Sequence, residues 1–291
     1  MAAGSSEITL HPYDASPFSH KVWAYLGLKG ASWCSVVTPS MMPKPDLVPL
    51  TGGYRRAPVL QIGADIFCDS QAALAEIERR LPDPPGALGL ACPVNLWSDR
   101  LFFQASVAII FGRIGDRLDP AFIADQEALS GRPFDTAAWI EAALASTGEP
   151  FLAGAQPSLI DICAHMNLWF LGGVFPQIAE ELLAGMERVQ AWRGRVAQIG
   201  EGTRTEISGA EALGVARDAE PAPPPAHDAD DPLGLPVGAP VQVAADDYGR
   251  DPILGALVAA TRDQVVIAQE TPDLGRLHLH FPRVGFVATP A

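Results

Sequence analysis

The stretch that most limits what this chain can become is Ile8–Leu28, a short strand running through a turn directly into a helix. Ile8-Thr9-Leu10-His11 alternates apolar and polar residues, as a half-buried strand does. The turn Pro12-Tyr13-Asp14-Ala15-Ser16 interrupts it, and from Pro17 onward Val22, Tyr25, Leu26 and Leu28 recur at helical spacing. Pro17 suits the first helical position, where its missing N–H costs nothing, and Ser16 then serves as N-cap. The Ser16 hydroxyl would stand beside unsatisfied N–H groups at the positive end of a helix dipole, which favours an anion. A helix cap with no further role is the plainer alternative.

The chain then continues in the same manner. Ala31–Val37 predicts a second strand, parallel to the first by a right-handed crossover. Residues 39–56 predict an irregular connection with room for one short helix. Ala57–Ile62 and Asp65–Cys68, separated by Gly63-Ala64, predict a hairpin. Asp69-Ser70 opens a helix marked by Ala73, Leu74, Ile77 and Leu81 and ended by Pro82–Gly86. The order βαβ then ββα is that of a thioredoxin-like α/β domain over residues 7–84.

Residues 90–210 predict an all-α domain. A long apolar stripe runs through Leu96, Trp97, Leu101, Phe102, Val107, Ile110 and Phe111, and residues 135–147 form a second helix candidate. Ser158-Leu159-Ile160-Asp161 has the spacing of a capping box ahead of a helix to Leu171, with Asp in place of the longer Glu. Two shorter helices are expected near 177–184 and 186–199. Pro, Ala and Asp then dominate residues 214–238, an expected extended linker. Residues 239–291 read as short strands of a small, mainly β domain, with Thr271–Gly275 as a hairpin loop.

A net charge of -14 argues against nucleic acid and anionic membranes as partners. No apolar run has the length of a membrane span. The opening residues lack the basic and apolar regions of a signal peptide, and Cys34, Cys68, Cys92 and Cys163 show no paired spacing, so a cytoplasmic protein with reduced thiols is expected. His278 and His280 share one face of a strand, but no third ligand accompanies them and no metal site is expected.

Four anchors occur in order across residues 7–205: Ser16-Pro17-Phe18, Ala57-Pro58-Val59-Leu60, Asp69-Ser70 and Ser158-Leu159-Ile160-Asp161. On these the chain resembles the cytosolic glutathione transferases, and its Ser-Pro-Phe turn resembles their serine-type members. The C-terminal region, together with Gly53-Tyr54-Arg55-Arg56, resembles a branch with an extra C-terminal domain.

The resemblance implies a cis bond before Pro58, a homodimer, and glutathione as co-substrate. Asp69 would accept the γ-glutamyl ammonium and Ser70 would donate to its carboxylate. Ala57 would offer backbone N–H and C=O to the cysteinyl part. Arg56, or else Arg55 or Lys44, would pair with the glycine carboxylate. Ser16 would donate its O–H to the sulfur and hold it as thiolate, with Tyr13 and Ser19 as rival hydroxyls and Tyr13 also a rim residue. A small hydrophobic electrophile would meet a wall drawn from Phe102, Phe103, Arg113, His165 and Trp169, residues that ordinary core packing also explains. The implied reaction is conjugation, or displacement of a halide or ether oxygen. A non-catalytic glutathione-binding scaffold and a glutathione-dependent isomerase or reductase stay open, although Ser at position 16 disfavours a mixed-disulfide route.

Overall fold

The computed structural model describes residues 7–84, 88–107, 136–247 and 249–291. In chain order the first elements are β1 (Thr9–His11), α1 (Pro17–Leu28), β2 (Ser32–Ser35), α2 (Val48–Thr51), β3 (Val59–Ile62), β4 (Asp65–Cys68) and α3 (Ser70–Arg80). The helices α4 (Leu88–Trp97), α5 (Thr136–Thr147), α6 (Leu159–Val174), α7 (Pro176–Leu182) and α8 (Glu187–Ala197) follow. Last come β5 (Thr203–Glu206), α9 (Gly209–Arg217), β6 (Pro240–Ala245), β7 (Ile253–Ala260), β8 (Gln264–Thr271), β9 (Gly275–Pro282) and β10 (Phe286–Pro290). The chain divides into two compact units, one of Met1–Val22, Ala31–Arg80 and Thr203–Ala291, the other of Trp23–Gly30 and Leu81–Gly202.

The first unit is built on one ten-stranded sheet in the order β10-β6-β7-β8-β9-β4-β3-β1-β2-β5. At its centre β1 runs parallel to β2 and antiparallel to β3, which pairs antiparallel with β4. This is the thioredoxin-like layer that the sequence predicts, hairpin included. On its outer sides the layer is extended. β9 pairs parallel with β4, with Asp65 opposite His278 and Phe67 opposite His280. β5 pairs parallel with β2, with Ser32 opposite Thr203.

Residues 239–291 form their strands at the places the alternation marks, yet they continue this sheet and share its core. One cluster joins Leu47, Leu50, Val59 and Ile66 to Val243, Leu257, Ile267, Leu279 and Phe281. The expected linker at 214–238 begins inside α9, and Leu233 and Leu235 pack on that same core. Several of its N–H donors find fixed acceptors: Ala222 donates to Asp65 Oδ2 at 2.7 Å and Asp228 to the Ala260 carbonyl at 2.9 Å. Prolines reduce the number of donors such a strap must satisfy, so an irregular path can lie against a sheet. Both β5 and α9 went unpredicted. Ser208 caps α9, its hydroxyl accepting the Glu211 N–H at 3.2 Å.

The second unit packs Phe102, Ile140, Leu144, Leu168, Trp192 and Val196 into its own core. Asp161 organises the start of α6: its carboxylate accepts N–H groups of Ser158 at 2.9 Å and Leu152 at 2.8 Å. It also accepts the Ser158 hydroxyl at 3.0 Å and the Trp192 indole at 2.8 Å. The shorter Asp therefore closes the box. Beyond α4 the backbone widens into a π-helical turn, Ser98–Phe102, where buried Asn167 reaches the Ser98 carbonyl at 3.1 Å and its hydroxyl at 2.9 Å. Such an inserted side chain is an ordinary cause of a π-bulge. No described helix is long and apolar enough to cross a membrane.

Candidate functional site

The strand registers bring three sequence-distant segments to one end of the central sheet. His11 ends β1 opposite Val59, which begins β3, and Val59 in turn lies opposite Cys68, which ends β4. The chain leaves β1 into the Ser16 turn, enters β3 from Ala57-Pro58, and leaves β4 into Asp69-Ser70. Antiparallel pairing of β3 with both neighbours makes these three junctions adjacent.

At the first junction Ser16 is nearly buried and precedes α1. Its Oγ accepts the Ser19 N–H at 3.3 Å, its N–H donates to the Tyr13 carbonyl at 2.8 Å, and its carbonyl accepts the His20 N–H at 3.0 Å. The hydroxyl proton has no acceptor among the described residues. Ser19 is fully buried, and its hydroxyl accepts the Tyr13 N–H at 3.0 Å. The Tyr13 side chain is exposed at 36%. Across the turn, Asp14 pairs with Arg204 of β5 at 3.1 Å.

At the second junction the Ala57–Pro58 bond is cis. The Ala57 N–H and C=O have no partner among the described residues. A strand-like donor and acceptor are thus presented side by side, as an extended peptide would need.

At the third junction Asp69 has φ 86°, the one positive φ of a non-glycine residue in the described chain. Residues held there often mark function, since the surroundings must enforce the conformation. Asp69 Oδ1 accepts the Gln71 N–H at 2.9 Å. Ser70, 2% exposed, begins α3, and its hydroxyl has no partner among the described residues. Gln71 also reaches the Val284 carbonyl, beyond β9, at 3.2 Å.

The cations expected to hold a glycine carboxylate are engaged within the chain. Lys44 Nζ donates to the Arg55 carbonyl at 2.7 Å, and burial together with the Arg55 charge lowers its pKa. Arg56 Nη2 lies 2.5 Å from Asp247 Oδ1, and Arg55 lies 3.7 Å from Asp251. These acidic partners sit between β6 and β7, nearly two hundred positions away, and sequence reading missed them. The only sequence signal was opposite charge in two separated clusters.

The other expected residues belong to the second unit. Phe102, in the π-helical turn, is fully buried, its ring centroid 5.1 Å from that of Trp97. Phe103 lies near Phe170, with ring centroids 6.3 Å apart. His165 and Trp169 line a cavity of about 660 Å³ together with Arg193 and Glu180. His165 is buried, which lowers its pKa to about 3, and the Arg193 charge acts in the same direction. Arg113 lies outside the described residues. No group of three metal-binding side chains occurs among the described residues. His278 and His280 instead face Asp65, at 3.7 and 3.0 Å.

Residues 10–85 match the family model for the glutathione S-transferase N-terminal domain. A GST-like protein from Pseudomonas syringae superposes with a TM-score of 0.84 at 34% identity, covering 98% of this chain and 100% of that one. A glutathione S-transferase from Rhodospirillum rubrum gives 0.51 at 19% identity over 65% of this chain and 87% of that one. FzlA from C. crescentus gives 0.51 at 22% identity over 77% and 98%. The latter two share the fold. Curated protein sequences yield no match. With its three junctions in register and a full-length relative at this identity, the chain belongs to the glutathione S-transferase-like family.

Proposed function

We propose that this protein is a glutathione transferase that uses Ser16 to hold glutathione as its thiolate for attack on a small hydrophobic electrophile. The observation that carries the reading is the Ser16 hydroxyl. Its oxygen is fixed by the Ser19 N–H while its proton remains available at the first turn of α1. A thiol of ordinary pKa, about 8.5, is mostly protonated at neutral pH. A hydrogen bond to a charged acceptor contributes about 1.5–3 kcal/mol, and one pKa unit corresponds to about 1.4 kcal/mol. Ser16 and the α1 dipole together would lower the thiol by about one to two units, enough to populate thiolate at pH 7.

The neighbouring junctions supply the rest of the cradle. The free backbone pair of Ala57 would clasp the cysteinyl unit as an added strand. Ser70 and the α3 N-terminus would receive the γ-glutamyl carboxylate, and Asp69 its ammonium. The thiolate sulfur then forms the new C–S bond as a halide or ether oxygen departs, or adds across an activated double bond. Family resemblance supports a cytoplasmic protein and a homodimer, and light scattering on the purified protein would test the dimer.

The deciding experiment is calorimetric titration with glutathione, followed by thiolate absorbance of the complex against pH. Wild type should bind and show thiolate at pH 7. Ser16→Ala should still bind, with the thiol pKa raised by about one to two units. Thiolate formation unaltered by Ser16→Ala would refute the assignment.

A further inference from the structure

The motif Gly53-Tyr54-Arg55-Arg56 is left unused by the cradle described above, although it leads directly into Ala57. Tyr54 turns to the C-terminal strands, and the two arginines to the loop between β6 and β7. Tyr54 packs against Phe281 and Phe286, with ring centroids 6.2 and 6.1 Å away. Arg56 meets Asp247 at 2.5 Å with only 16% and 29% of the two side chains exposed, and Arg55 faces Asp251. Arg250 Nε donates to the Asp247 carbonyl at 2.7 Å, and Asp246 N–H donates to the Gly285 carbonyl at 2.9 Å. The loop that presents Asp247 is therefore held by hydrogen bonds to its own backbone atoms, one of them donated by the Arg250 side chain, and the Tyr54 packing joins the regions without help from the ion pair.

This placement bears on the far end of a bound thiol peptide. If the sulfur lies at Ser16, the cysteinyl unit at Ala57 and the γ-glutamyl end at Asp69-Ser70, the remaining end runs back along residues 55–56. A free carboxylate arriving there would find Lys44 already donating to the Arg55 carbonyl and Arg56 already paired. It would compete with Asp247 for one guanidinium in a partly desolvated place, and it would face Asp247 as a like charge. A carboxamide meets the same groups without conflict. Its N–H donates to Asp247 and its carbonyl accepts from Arg56.

We propose that Asp247 makes this site selective for a γ-glutamylcysteinyl thiol whose far end carries an amide in place of a free carboxylate. The proposal rests on the glutathione reading given above. It assigns the C-terminal strands a part in choosing the co-substrate.

Titration calorimetry of the full chain with glutathione and with its C-terminal amide tests both readings separately. Wild type should bind the amide about tenfold or more tightly than glutathione, a difference of about 1.4 kcal/mol. Asp247→Asn should raise affinity for glutathione about tenfold and erase the preference. Wild type binding glutathione as tightly as the amide, or more so, overturns this proposal and leaves the glutathione reading standing. Binding of neither thiol overturns the glutathione reading and this proposal together. The wild-type ratio decides the matter even where the variant fails to fold.

Discussion

His280 Nε2 lies 3.0 Å from Asp65 Oδ1, a contact that ties β9 to β4 across 215 positions of sequence. The ring of Phe67 stacks on His280 with centroids 4.2 Å apart, and the second oxygen of Asp65 takes the Ala222 N–H. One buried carboxylate thus serves two strands and the strap between them. Removing it leaves buried donors without an acceptor. Asp65→Ala should lower stability by about 3 kcal/mol, and Asp65→Asn by less. Urea unfolding of the two variants checks the order.

Asp161 plays the corresponding part in the helical unit, fully buried and accepting from Ser158, Leu152 and Trp192. Its loss strips α6 of its cap and orphans a buried indole. Asp161→Ala should cost about 4 kcal/mol. Urea unfolding of this variant against wild type measures the loss.

Two buried histidines set an acid limit on stability. Burial lowers His11 to about 4 despite its 2.8 Å contact with Gln61, and lowers His165 to about 3. In the unfolded chain each titrates near 6.5. Above that pH both states are neutral and stability is level. Below it the unfolded chain takes up protons that the folded chain refuses, so stability falls as pH drops from about 6.5 through 4 and 3. Each histidine should contribute a loss of about 3–4 kcal/mol by the lower limit. Unfolding midpoints at pH 7 and pH 4.5 should show the decline.

Gly27 in α1 lies against the carbonyl of Gly200, and an added Cβ would collide with that backbone oxygen. Alanine ordinarily improves a helix interior by about 1 kcal/mol. Here Gly27→Ala should instead destabilise by about 2 kcal/mol, since a carbonyl cannot rotate aside as a side chain can. A lowered melting temperature, rather than a raised one, is the expected reading.

Ser16→Cys tests the chemistry from the other side. The same helix end that favours a glutathione thiolate would lower the pKa of a cysteine placed there. The variant should gain disulfide exchange with glutathione, visible as a mixed disulfide by mass spectrometry, while conjugation falls.

Much of this was legible from local pattern. The Ser16-Pro17 cap, the Gly63-Ala64 hairpin and the strand alternation of 240–291 each depend on neighbours a few residues apart, and each stands where periodicity puts it. The π-turn at Ser98 was not legible, because the Asn167 amide that bonds it comes from another helix. The same holds for Arg56. Its cationic chemistry invites an anion, but only the folded sheet shows that Asp247 already stands beside it. Likewise β5 has four polar or charged residues and becomes a strand only through β2.

That last pairing has a further result. A four-strand thioredoxin-like layer would leave β2 and β4 with bare hydrogen-bonding margins, open to any passing strand. Here both margins are sealed from within, and the sheet ends instead on β5 and β10. The first is only Thr203-Arg204-Thr205-Glu206, short and half charged, and the second is five residues long and ends on Pro290, which has no N–H to donate. Residues 203–291 therefore move the open margins of the sheet from β2 and β4 to β5 and β10.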